Sequence, residues 1–189
     1  MNTFTAPSHP KGLGWTFTTY ALKYLDELEA NYGPRTAVLP YGGVELIPHG
    51  RPHTWYPNST HIVVRLNTSV LNSLPEAIFQ LSHEIVHVLC DGGPYRQAIN
   101  LEEGLATWFS KLATDRDSGN PHYASQAIAM DPRYQAAYTV VDQLLQQDSD
   151  AIKKLRSIQP VLGSVSSADF TTAGVNVAPS LISSLLAPF

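Results

Sequence analysis

Two histidines and a glutamate, His83, Glu84 and His87, occupy one short stretch of the sequence. Side chains four residues apart share a face of an α-helix, so the two imidazole rings can reach a single cation. Zinc accepts imidazole nitrogens at about 2.0–2.1 Å, and a neighbouring carboxylate can take a proton from a water bound by the metal. This spacing is typical of the zinc-binding helix of metallopeptidases.

The alternative interpretation is a pair of surface histidines on an ordinary helix. The residues around them make nearly every side of the helix apolar: Ile85, Val86, Val88 and Leu89. A buried helix does not keep two histidines and a glutamate without partners, because burying unpaired polar groups costs free energy. The metal-binding interpretation is therefore favoured.

A catalytic zinc site takes a third protein ligand and keeps one position open. The candidate is Glu103, which is separated from His87 by fifteen residues. The turn residues at 92–94 allow the helix that carries Glu103 to fold back against the helix that carries His87. That second helix is expected to be amphipathic, with apolar positions at Leu101, Leu105, Trp108, Phe109 and Leu112.

The segment from Leu101 to Trp108, with its Glu-Gly-Leu-Ala sequence, resembles the Asn-Glu-Gly-Phe-Ala segment of the gluzincin metallopeptidases. This class contains thermolysin and the aminopeptidase-N-like enzymes, and the glutamate before the glycine is its third metal ligand. The resemblance implies that His83, His87 and Glu103 bind Zn²⁺ and that Glu84 is the general base.

Two neighbours of Glu103 leave alternatives open. Glu102 stands where the family commonly has asparagine, and it is the rival third ligand. Thr107 lies one turn after Glu103, where the family often has a small hydroxyl residue. It either orients a ligand through a hydrogen bond or is an ordinary helix-surface threonine.

Peptide hydrolysis passes through an oxyanion, which peptidases of this type stabilise with a Tyr or His donor. The segment starting at Tyr134 resembles the Tyr-Glu-Lys-Gly segment of the aminopeptidase-N-like family, whose tyrosine has this role. Tyr134 is therefore the first candidate, followed by Tyr138 and His122. The alternative is a tyrosine that only packs on a core helix.

The elements that position these residues begin with an amphipathic helix from Phe17 that ends before Gly33-Pro34. Two strands at 36–39 and 44–47, joined by a turn at 40–43, are expected next, followed by a loop at 49–58. His49 and His53 in this loop are expected to be exposed, because the intervening Gly and Pro exclude helical spacing. Trp55 and Tyr56 either line a cleft or cover the sheet.

A β-branched strand at 61–66 is expected immediately before the metal helix. The resemblance implies that this strand lies at the sheet edge and pairs with an extended peptide. The alternative is an interior strand with no role in ligand binding. The metal helix itself is expected to begin at a capping box formed by Ser73 and Glu76, and to end at Asp91-Gly92-Gly93-Pro94.

The remainder is expected to be mainly helical. A loop is predicted at 114–121, helices at 122–130, 134–145 and 148–157, a Ser-rich linker at 164–169, and a final helix at 179–186.

Composition limits the other functions. With 16 acidic and 12 basic residues the net charge is −4, and the basic residues are scattered, so nucleic-acid binding is disfavoured. No apolar run approaches the length of a membrane span. The single cysteine, Cys90, fits a reducing compartment and is expected to be buried. No signal peptide is visible in residues 1–14, which predicts a cytoplasmic location unless the sequence begins after a processing site.

The sequence thus predicts an α+β, zincin-like fold with a small mixed sheet against the metal-binding helix and a mainly helical C-terminal part. The expected organisation is an irregular segment at 1–14, a peptidase domain at 15–160, and a helical appendage of the same domain at 161–189. The expected function is zinc-dependent hydrolysis of a peptide or protein substrate. Internal cleavage is favoured, because the Gly-x-Met-Glu-Asn segment of aminopeptidases is missing.

Two other hypotheses remain. In the first, the chain binds zinc but has no catalytic activity, and serves in binding or structure. In the second, the Pro-rich start folds over the cleft as an inhibitory segment with His9 near the metal. The sequence does not determine the oligomeric state.

Overall fold

The computed structural model describes residues 17–36, 39–94 and 97–189. The fold is mixed α+β, with a helical C-terminal part. The expectations for residues 1–14, including the inhibitory segment, lie outside the described residues. The elements follow one another as α1 (Phe17–Tyr32), β1 (Tyr41–Ile47), β2 (His53–Trp55), β3 (Ile62–Asn67), α2 (Leu74–Leu89), α3 (Asn100–Asp117), α4 (Tyr123–Ala129), α5 (Pro132–Gln147), α6 (Ala151–Ile158), α7 (Ser167–Thr172) and α8 (Pro179–Leu186).

The sheet differs from the expected hairpin. Its order is β1-β3-β2, with β1 parallel and β2 antiparallel to β3. The expected turn at 40–43 is largely part of β1, which accommodates its two glycines through an irregularity between Tyr41 and Val44. Of the strand expected at 36–39, Ala37 and Val38 lie outside the described residues.

A further expectation about the sheet was wrong. The loop expected at 49–58 contains β2, a three-residue strand that lies between Pro52 and Pro57. Of the two positions considered for the strand at 61–66, the structure has the interior one, since β3 lies between the edge strands β1 and β2. A central position suits β3, because Ile62, Val64 and Leu66 are all fully buried.

Helix α2 begins and ends near the expected residues. The Ser73 side chain accepts a hydrogen bond from the backbone N–H of Glu76, but the Glu76 carboxylate accepts from Ser69 and Gln80 instead of completing the capping box. At the other end, Cys90 is buried, as expected.

The carbonyl groups at the C-terminal end of α2 have side-chain partners. Arg35 donates to Val88, and Arg156 and Thr36 both donate to Leu89. Cationic donors are favourable at the negative end of a helix dipole. These contacts fix the end of the helix that carries the two histidines.

Helix α3 packs against both α2 and α5, so it lies between them. It runs to Asp117, beyond the loop start expected at 114, because Asp117 is tied to α1 by Lys23 and Tyr24. Its apolar face is narrower than expected, since Leu112 is exposed.

The C-terminal part contains the expected helix at 179–186, and α7 lies where a linker was expected. Ser166 and Asp169 form a capping box there, a start signal that the Ser-rich composition concealed. Ile158, at the end of α6, is exposed. Buried residues from α7, α8 and the segments around them join the same hydrophobic core as α1 and α2: Leu162, Val165, Phe170, Val175, Leu181 and Leu185.

Within the described ranges, no helix combines the length and apolarity needed to cross a bilayer.

Candidate metal centre

The side chains of His83, His87 and Glu103 converge between α2 and α3. The Nε2 atom of His83 lies 3.4 Å from one carboxylate oxygen of Glu103, and the Nε2 atom of His87 lies 3.6 Å from the other. One potential ligand atom from each residue lies within 4.8 Å of the other two. These three side chains could hold a metal ion.

The spacing of these atoms fits a cation of zinc's size. Ligands placed about 2.0–2.1 Å from a tetrahedral ion lie roughly 3.4 Å from one another. The two nitrogen-to-oxygen distances, 3.4 Å to Oε2 and 3.6 Å to Oε1 of Glu103, are close to that separation. Two imidazole nitrogens and a carboxylate oxygen are also the atoms that zinc prefers.

Glu102, the rival third ligand, lies on the opposite side of His87. Its Oε1 atom lies 2.8 Å from Nδ1 of His87, and its side chain is almost completely buried. Because a carboxylate only accepts hydrogen bonds, Nδ1 carries the proton and Nε2 faces Glu103. A carboxylate behind a histidine is the usual arrangement that orients a metal-binding imidazole.

The electrostatics of this group favour positive charge. Burial lowers the pKa of His87, but the charges of Glu103 and Glu102 and the hydrogen bond with Glu102 outweigh it, and the pKa rises to about 10. The buried carboxylates thus attract a cation to this position, either a proton or a metal ion.

Glu84 is buried next to the two histidines, with 4% of its surface exposed. Burial raises the pKa of its carboxyl group, while the charges of His87 and His83 lower it. Glu84 lines the same cavity as the two histidines.

Of the three candidates for the oxyanion donor, the structure brings only Tyr134 to the centre. Its ring lies 5.6 Å from the ring of His83, edge to face, and it lines the same cavity as Glu84. Burial and the charges of Glu103 and Glu84 raise its pKa to about 12, so the phenol keeps its proton. Tyr138 lies in the field of Asp142 and Lys111, and His122 is exposed before α4. Neither Tyr138 nor His122 lines the cavity.

The hydrogen bond found for the Thr107 hydroxyl is to the main chain of Glu103 and not to its carboxylate. This hydroxyl donates to the main-chain carbonyl of Glu103, 2.7 Å away, as helix threonines commonly do. Its role in orienting the ligand is therefore indirect at most.

Gly104 explains how α5 reaches the centre. A Cβ atom at this position would lie 2.3 Å from the carbonyl oxygen of Ala137 and 2.5 Å from the side chain of Val141, so only glycine permits this approach. Ala137 lies one turn after Tyr134 on α5. The close approach therefore places Tyr134 beside Glu103, the residue before Gly104.

A cavity of about 420 Å³ opens beside the three ligands. One wall is the edge strand β2 with Trp55, next to Tyr56, whose hydroxyl donates to the buried Asp91. The sequence left Trp55 and Tyr56 undecided, and both line the cavity. A second cavity of about 350 Å³, with Phe79 and Ile128 in its walls, shares His83, Glu84 and Tyr134 with the first.

Two residues near the centre had no functional signal in the sequence. His53 is exposed, as expected, but it also lines the cavity, and its Nδ1 atom lies 2.9 Å from the carbonyl oxygen of Arg51. Phe189, the last residue, packs against Tyr134 with ring centroids 4.8 Å apart. No spacing rule relates residues so distant in sequence to the metal helix.

Comparison of the chain with protein families, with curated proteins and with solved structures found no match.

Proposed function

We propose that this protein is a zinc-dependent metallopeptidase with a zincin-like, gluzincin-type site. The observation that carries the proposal is the convergence of His83, His87 and Glu103 at ligand-to-ligand distances of 3.4 and 3.6 Å. Glu84 and Tyr134 line the same cavity as these ligands, which adds support. A cavity next to the ligands provides room for a substrate, which a purely structural metal site does not need.

In the proposed mechanism, His83, His87 and Glu103 hold Zn²⁺, and Glu102 keeps His87 in the tautomer that presents Nε2. When bound, the ion acidifies a water molecule and polarises the scissile carbonyl. Glu84 accepts the proton of the attacking water and passes it to the leaving amine. Tyr134, protonated at neutral pH, donates a hydrogen bond to the oxygen that becomes negative.

The substrate in this proposal is a peptide or protein chain bound in extended form along β2. This strand lies at the sheet edge beside the cavity, so it can offer main-chain hydrogen bonds to a peptide. The second cavity shares His83, Glu84 and Tyr134 with the first, so there is room next to the centre in both cavities. This arrangement favours internal cleavage.

The test is metal content combined with cleavage-site profiling on a peptide library, for the wild type and Glu84→Gln in parallel. Both proteins are expected to retain one zinc ion per chain. Because the substitution removes only the proton acceptor, the cleavage rate should fall roughly 10²- to 10⁴-fold.

Equal cleavage rates for the two proteins would refute this mechanism. Stoichiometric zinc without any cleavage would establish the alternative, a zinc-binding protein without catalytic activity.

A further inference from the structure

The three residues that follow α8 run back to the start of α3. The backbone N–H of Asn100 donates to the carbonyl of Ala187, and the N–H of Phe189 donates to the carbonyl of Ala98, both at 3.0 Å. Ile99 and Pro188 form an antiparallel β-bridge between these two bonds. The 187–189 segment is thus attached to the residues from which the helix carrying Glu103 begins.

The same segment also contacts the start of α5. The ring of Phe189 packs against Tyr134, and the guanidinium group of Arg133 lies 5.3 Å from the centre of the Phe189 ring. Tyr134 therefore has His83 as one ring neighbour and Phe189 as another. Aromatic contacts of this kind restrict where a ring can lie.

Tyr134 stands at the second residue after the Pro132 that begins α5, where its own helix gives it little support on the N-terminal side. Its side chain forms no hydrogen bond that would fix the ring among those found in the described part of the chain. The packing of Phe189 supplies what the helix does not.

We propose that Phe189 is a positioning residue, which holds the ring of Tyr134 over the candidate metal centre, and that the 187–189 segment ties this ring to the start of the Glu103 helix. Its effect on turnover rests on the proposed peptidase function, whereas its effect on the Tyr134 ring does not. One short segment would then fix the relative position of the oxyanion donor and the third metal ligand, which two different helices carry.

The test compares Phe189→Ala with Phe189→Tyr, which keeps an aromatic ring. The steady-state constants are measured on a peptide that the wild-type protein cleaves. With Phe189→Ala, kcat is expected to fall roughly 10- to 100-fold, because displacing a group by about 1 Å weakens its contact with the transition state. KM and zinc content should remain within about 3-fold of the wild type, and Phe189→Tyr should restore most of kcat.

A second readout does not depend on activity. In protein labelled with 3-fluorotyrosine, the ¹⁹F signal that Tyr134→Phe removes is assigned to Tyr134. In Phe189→Ala this signal should move toward that of free fluorotyrosine, and in Phe189→Tyr it should stay near its original position. If the wild-type protein cleaves no peptide, the proposed function fails, and this signal still decides whether Phe189 holds the ring.

Val175→Ala is the matched control, because Val175 is buried beyond α7 and does not line the cavity. It is expected to lower stability while leaving kcat and the Tyr134 signal unchanged. The inference is overturned if Phe189→Ala leaves the signal in place, or if Val175→Ala reduces kcat as much as Phe189→Ala does.

Discussion

Two buried charged groups in this protein are satisfied in opposite ways. The guanidinium group of Arg156, 4% exposed, donates to five main-chain carbonyls at the ends of α1, α2 and α6: Tyr32, Gly33, Pro34, Leu89 and Pro160. At the candidate metal centre, by contrast, a carboxylate faces two imidazole nitrogens. Arg156 is a cation surrounded by carbonyl oxygens, whereas the metal centre places potential metal ligands next to one another.

The comparison separates a charge that stabilises the fold from a group of side chains that could bind an ion. Arg156 has a donor for each carbonyl it meets, so the protein itself completes the arrangement. The potential ligands of the metal centre lie where a proton on His87 or a metal ion could bind. A buried group of potential metal ligands beside a cavity is a candidate site of function, whereas a guanidinium group that donates only to main-chain carbonyls stabilises the fold.

The largest expected effect concerns Arg156. Arg156→Met should lower the free energy of unfolding by roughly 3–5 kcal/mol, because four of the five carbonyls lose this donor, while the fifth, that of Leu89, keeps its bonds from Thr36. Arg156→Lys should lose less, since an ammonium group can still donate to some of them. Chemical denaturation with urea at neutral pH measures both values. A loss below about 1 kcal/mol for the Met variant would show that water replaces the guanidinium group.

The next effect concerns the metal ligands. Free Zn²⁺ at about 100 times its dissociation constant should raise the free energy of unfolding by roughly 2.7 kcal/mol, and a chelator should reverse the gain. His87→Ala and Glu103→Ala should abolish the shift, whereas Glu84→Gln should keep it. Thermal denaturation with and without Zn²⁺ is the measurement. An equal shift in His87→Ala would place the ion elsewhere.

A smaller effect distinguishes Glu102 from the ligands. Glu102→Gln keeps an acceptor for Nδ1 of His87 but removes the charge, so zinc affinity should fall about 10-fold. Glu102→Ala removes both and should approach a 100-fold loss. Competition with a zinc-sensitive dye gives the dissociation constants. Complete loss of binding in Glu102→Gln would instead make Glu102 a direct ligand.

The smallest effect concerns a partly exposed cluster, in which Asp117 accepts from Lys23, Arg116 and Tyr24. Burial raises the pKa of Asp117, but the hydrogen bonds from Arg116 and Lys23 outweigh it, so the pKa lies below its usual value. The stabilisation is then fully present above the unfolded pKa of about 3.9, and is lost as pH falls through the lower folded value.

Asp117→Asn should therefore cost less than about 1 kcal/mol at pH 7, since solvent screens exposed pairs. The difference between the two proteins should shrink as the pH falls from 5 to 3. Urea denaturation across this range is the measurement, and a difference independent of pH would assign the effect to packing.

The sequence predicted the parts of the site that depend on local spacing. His83, Glu84 and His87 share one helical segment, so the 3.6-residue period places them together wherever that helix lies. The sequence also predicted the helix start at Ser73 and the final helix at 179–186, because capping residues and apolar periodicity are local patterns that span only a few residues. The strands at 44–47 and 61–66 were also predicted, whereas β2 was missed, because a three-residue strand defined by its pairing with β3 has too short a pattern to recognise.

The sequence by itself determined the chemistry that is available: two imidazoles at helical spacing, a carboxylate beside the first, and a further pair of carboxylates on the next helix. Only the tertiary structure decided which carboxylate faces the ligands, because Glu102 and Glu103 are adjacent and the packing of α3 on α2 directs them to different nitrogens of His87. It also brought Tyr134 and Phe189 to the centre. Their positions follow from the helix contact at Gly104 and the bridge at Ile99, and contacts between residues so far apart in sequence leave no periodic signal.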